Sequence, residues 1–75
     1  MLSDRDRALL EFEDAHPIPG GAKPDLIKTT FGLSAARYYQ RLNRIIDDAA
    51  ALQDAPLLVR RLQRLRRQRM AARAS

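Results

Sequence analysis

The segment from Phe31 to Asn43, "FGLSAARYYQRLN", restricts this chain more than any other. A glycine between two apolar residues suits a corner better than a helix interior. Gly32 tolerates the positive φ that a sharp helix–helix turn needs, and Leu33 can then plug back into a core. Ser34 can cap the helix that follows. At about 100° per residue, that helix separates into two sides. Ala35, Tyr38, Leu42, Ile45 and Ile46 fall within one arc; Ala36, Arg37, Gln40, Arg41, Asn43 and Arg44 fill the opposite one, with Tyr39 on the border. A segment built this way must bury one side and wet the other, which predicts a helix from Ser34 to about Ile46.

The flanking sequence predicts further helices and no strand. Ser3 can cap a first helix whose Asp6 carboxylate reaches back to the cap amide, with Ala8, Leu9, Phe12 and Ala15 as its apolar stripe. "HPIPGGAKPD" carries too much proline and glycine for either helix or strand. A short second helix opens near Pro24 and buries Ile27 and Phe31. Asp47 and Asp48 suit a helix C-terminus badly, because the dipole there favours cations. Asp48 is therefore expected to cap a short turn, "AAAL", and Asp54 to cap a last helix opened by Pro56. That helix places Leu58, Leu62 and Leu65 on one face, while Arg66, Arg67 and Arg69 lie on every side. The expected fold is all-α: one domain over residues 1–75, a bundle of four to five helices with an Arg-rich last helix. Its core spans about residues 3–65, and residues 66–75 form a basic tail that frays when free.

Size and charge narrow the function. A 75-residue chain buries only about 60% of its unfolded surface, so self-association or partner binding is expected. It has no cysteine, which removes thiolate metal sites and disulfides. No apolar run nears the roughly 18 residues of a membrane span, and the expected location is the cytoplasm. The net charge of +5 is unevenly spread: residues 55–75 hold seven arginines and no acid. Arginine pairs bidentately with phosphate, so a polyanionic partner is expected, nucleic acid ahead of lipid or an acidic protein.

The outward side of the central helix carries three arginines, a glutamine and an asparagine. These are side chains that read base edges in a major groove, Arg at guanine and Gln or Asn at adenine. Ile27, Phe31, Gly32, Leu33, Tyr38 and Leu42 fit a helix, a three-residue corner and a crossing helix, the spacing of a helix-turn-helix. On this reading Ala36, Arg37 and Gln40 meet base edges. Lys23, Lys28, Ser34, Tyr39, Arg41, Asn43 and Arg44 meet phosphates, joined by Arg60, Arg64 and Arg67 from the last helix. Two positions depart from the usual pattern: Lys28 stands where a small residue is common, and Arg41 where the side chain often packs inward. An ordinary capped helical hairpin would also produce "FGLS". Tyr38 reads first as core, Tyr39 equally as rim packing or phosphate donor, and His16 as neither ligand nor base.

"GAK", "FGLSAARYYQRLN", "IIDD" and "LLVRRLQRLR" together resemble a family of small actinobacterial proteins that contain a helix-turn-helix. That family was long catalogued as a domain of unknown function, and members have been linked to nucleoid association. The resemblance covers nearly the whole chain. It implies binding to double-stranded DNA in the nucleoid, as a dimer that coats or bends the chromosome, with Ser34, Arg37, Tyr39, Gln40 and Asn43 facing the groove. Arg41 stands where the family more usually has an apolar residue. A rival reading is a protein-binding module that docks on RNA polymerase, a sigma factor or another acidic surface. RNA is a third, less supported because only Tyr39 offers an exposed ring for stacking. No catalytic, metal, cofactor or small-molecule site is expected, since no His–carboxylate pair, Gly-rich phosphate loop or nucleophile arrangement is present. A homodimer on DNA is expected, with helix 1 or Leu58, Leu62 and Leu65 as its seam.

Overall fold

The computed structural model describes residues 1–74, side chains through Ala72, as five helices: α1 (Asp4–Ala15), α2 (Lys23–Phe31), α3 (Ala35–Ile46), α4 (Ala49–Asp54) and α5 (Pro56–Ala74). No strand occurs among the described residues. No described helix is long and apolar enough to cross a membrane.

Local chemistry sets most boundaries. The Ser3 hydroxyl accepts from the Asp6 amide (3.1 Å) and opens α1. Asp6 does not complete the reciprocal half of that cap; its Oδ1 turns sideways to Arg41 of α3 instead. Pro24 sits in the first turn of α2, and Gly32 ends the helix at φ +70, its amide donating to the Lys28 carbonyl. A side chain at position 32 would meet nothing within 4 Å. The requirement for glycine is thus the left-handed backbone, which costs other residues roughly 1–2 kcal/mol. Ser34 caps α3 through the Arg37 amide, and Asp48 caps α4 through the Ala50 amide. Asp54 departs from expectation. It is the last residue of α4, Ala55 precedes Pro56, and the Asp54 carboxylate faces Arg7 of α1. The short turn extends two residues further than foreseen and takes the acid with it.

The core gathers Leu2, Leu9, Leu10, Ile27, Tyr38, Leu42, Ile45, Ile46, Ala51, Val59 and Leu62. α3 contributes four of these and touches every other helix as the central beam. Its two-sided pattern is reproduced at most positions: Tyr38, Leu42, Ile45 and Ile46 are buried, Tyr39 is half-buried, and Ala36, Arg37, Gln40, Asn43 and Arg44 are exposed, while Ala35, expected inside, and Arg41, expected outside, are both half-buried. In α1 the buried face is Leu9, Leu10 and Glu13, while Ala15 is exposed, so the stripe is rotated from the expected one. In α5, Val59 is fully buried and Leu62 nearly so, with Leu58 and Leu65 half-buried. The leucines foreseen as a dimer seam thus pack largely against this chain's own core. α5 continues as helix through Ala74, and from Arg67 to Ala72 every residue is exposed.

Candidate nucleic-acid interface

Three elements meet at a buried polar knot beneath α3. Glu13 is only 4% exposed and Lys23 only 5%. The Lys23 ammonium donates to Glu13 Oε1 at 2.8 Å, and the Tyr38 hydroxyl donates to the same oxygen at 2.8 Å. The ammonium also stands 5.3 Å from the Tyr39 ring centre and 6.0 Å from that of Tyr38. Phe12 packs edge-on against the Tyr38 ring, and Phe31 lies tilted beside it. A charge buried this deeply must be paired and hydrogen-bonded, and here it is both. The knot joins α1, the start of α2 and the first turn of α3, and so sets how α3 is presented.

Lys23 is therefore corrected. It was expected at a phosphate, but its ammonium is enclosed with Glu13 and cannot reach solvent in this structure. The signal for it was present in α1: Glu13 lies four residues after Leu9, on the side the apolar residues define. A carboxylate on a buried stripe demands a cation, and the pattern of apolar residues alone passed over it.

Burial, and then the Glu13 carboxylate, push the Tyr38 phenol well above the ordinary value of about 10. A group whose folded pKa is raised contributes stability that is fully present below its unfolded pKa and is lost as pH rises beyond it. Tyr38→Phe removes one hydrogen bond to a charged group and is expected to cost about 1.5–3 kcal/mol at neutral pH. That gap should narrow above about pH 10, where unfolded wild type gains the freedom to ionise. Urea midpoints of both proteins at pH 7 and near pH 11 check this; an unchanged gap contradicts it.

Above the knot, α3 turns its polar side to solvent. Ala36, Arg37 and Gln40, expected at base edges, are exposed together on the first half of this side. Asn43 and Arg44 extend it by one turn. Arg37 and Arg44 make no ion pair, and neither the Gln40 amide nor the Tyr39 hydroxyl has a hydrogen-bond partner among the described residues. Ser34 uses its hydroxyl oxygen as an acceptor in the cap and keeps its O–H to donate. Lys28 is exposed on α2 with no acidic partner. Arg41 differs: its Nε donates to Asp6 Oδ1 at 3.1 Å, which ties it to α1 and offsets its charge.

On α5 the arginines divide into two sets. Arg61 pairs with Asp14 at 2.8 Å. Arg66 grips Asp47 through two hydrogen bonds, at 2.7 and 3.1 Å, and so ties α5 to the end of α3. The Arg66 guanidinium holds the Asp47 carboxyl below its usual range. This tie is present at neutral pH and is lost as pH falls through that lowered value. Arg60, Arg64 and Arg67, at i, i+4 and i+7, are exposed and free of acids among the described residues. They flank a hollow of about 370 Å³ that also touches Leu52 of α4.

These features define a class: a small five-helix all-α bundle whose central helix offers an uncompensated cationic and amide-bearing side to solvent. The chain belongs to the family described as "Protein of unknown function (DUF3263)", whose model matches residues 1–74. No curated protein and no solved structure matches it.

Proposed function

We propose that the protein binds double-stranded DNA by inserting the N-terminal half of α3 into the major groove, α2 and α3 acting as a helix-turn-helix. The observation that carries this reading is the outward side of α3. Arg37, Gln40, Asn43 and Arg44 are exposed on one side of a rigid helix, while the same helix contributes Tyr38, Leu42, Ile45 and Ile46 to the core. A surface helix serving only packing has no reason to gather two unpaired arginines and two amides without a single acid. Ala36 leaves the backbone room to approach base edges. Tyr39 and Ser34 have hydroxyls free to donate to phosphates at the start of the helix, and Lys28 adds a cation from α2. Arg60, Arg64 and Arg67 on α5 add sequence-independent attraction for phosphate. The resemblance to nucleoid-associated helix-turn-helix proteins points the same way, toward a small cytoplasmic regulator or nucleoid protein that pairs on DNA.

A gel shift with random duplex tests the reading: a clear shift is expected at micromolar protein, and an unshifted duplex refutes it. Arg37→Ala or Gln40→Ala should each cost about 1–3 kcal/mol on the preferred site and blur its sequence preference. Both residues are exposed, so circular dichroism should show unchanged helix content. Equal losses on every sequence would move these two residues from base edges to phosphates. Light scattering with and without duplex measures whether two copies assemble on one site.

A further inference from the structure

We infer that the groove between α3 and the C-terminal half of α5 docks an acidic amphipathic helix of another protein. The groove encloses about 510 Å³, and its floor is Leu42, Ile46, Leu62 and Leu65. Its rim carries Arg69 and Met70, and Met70 is 63% exposed. An unbranched thioether at the edge of an apolar floor adapts to different partner side chains, as Met-rich docking surfaces do.

Charge selects the occupant. Arg69 has no acidic partner among the described residues and supplies the uncompensated charge of the rim; Arg66 beside it is already held by Asp47. Glu13, the one acid among the described residues that line the groove, is already held by Lys23 and Tyr38. An entering helix thus meets an apolar floor and a cationic rim, and complements both with an apolar stripe flanked by Asp or Glu. A second copy presenting its own α5 would set arginine against arginine. A small polar ligand would need convergent buried polar groups, yet no buried side-chain nitrogen or oxygen among the described residues lacks a partner. A duplex would have to press phosphates onto leucine and methionine.

Tyr39 and Asn43 line the same groove, and both belong to the proposed DNA surface. A docked acidic helix therefore competes with the duplex, which makes the groove a point of control over DNA binding. This competition rests on the DNA reading; the docking itself does not.

The test titrates the full ¹⁵N-labelled chain with synthetic peptides of about fourteen residues. One carries leucines at i, i+3, i+4 and i+7 with glutamates between; the second replaces glutamate by lysine; the third scrambles the first. The acidic amphipathic peptide is expected to shift the amides of Tyr39, Asn43, Leu65, Arg69 and Met70. Arg69→Glu and Met70→Glu, both at exposed positions, should each weaken it tenfold or more. Equal affinity for the scrambled peptide, or shifts that avoid the groove, overturns the proposal. If the peptide docks as expected but the chain shifts no duplex, the DNA reading fails and the docking site stands. If duplex binds and the peptide does not, the groove proposal fails alone.

Discussion

Glu13→Ala is expected to destabilise the fold by about 3–5 kcal/mol, a large share of the total for a chain of this length. The loss does not come from the carboxylate's own attraction. It comes from the Lys23 ammonium left behind, 5% exposed and facing two aromatic rings with no counter-charge. Tyr38 would also lose the acceptor of its buried hydroxyl. Thermal or urea unfolding of Glu13→Ala measures the effect. Exchanging all three polar members together, Glu13→Leu with Lys23→Met and Tyr38→Phe, should recover most of the loss, since apolar groups of similar volume often replace a buried ion pair at little cost and no buried hydroxyl is then left unpaired. A Glu13→Ala loss below about 1 kcal/mol would mean that the lysine stem swings its charge out to water, and that the knot does not hold α3 in place.

Duplex affinity is expected to fall about 500-fold between 50 and 200 mM salt. Among the described residues, the exposed side-chain cations without an acidic partner are Lys28, Arg44, Arg60, Arg64 and Arg67, once three are set aside: Arg37 at the base edges, Arg69 at the groove rim, and Arg5, whose guanidinium donates to the Phe31 carbonyl. Neutralising about five phosphates predicts a slope of roughly −4.5 for log K against log salt, through release of condensed counterions. Arg41 is left out because Asp6 already offsets it. Removing Arg60, Arg64 and Arg67 together should make the slope shallower by about 3 and weaken all sequences alike. A slope near zero refutes binding through phosphates altogether. A triple variant that lost one sequence selectively would show that α5, and not α3, does the reading.

Where a single residue settles local geometry, the chain could be read directly. Gly32 at the corner, Ser3, Ser34 and Asp48 as caps, and the two-sided period of α3 need only the backbone hydrogen bonds and angles of their own neighbours. For the same reason the candidate interface on α3 was legible: exposure of Arg37, Gln40 and Asn43 follows once Tyr38, Leu42 and Ile45 are buried. The misread elements depend on a partner far along the chain. Asp6 turned from its own cap to Arg41, thirty-five positions away, and Asp54 turned to Arg7, forty-seven away.

The fate of each charge was decided by folding. Lys23 and Lys28 look alike as letters, yet one is enclosed against Glu13 and the other stands in water. Arg61 and Arg66 are held by Asp14 and Asp47, while Arg60, Arg64 and Arg67 on the same helix remain free. Helix boundaries come from interactions within one or two turns, which the order of residues contains outright. Charge pairing acts through space over a few ångströms, so only the packing of α1 and α2 beneath α3, and of α5 beside it, determines which cations are left to meet a partner.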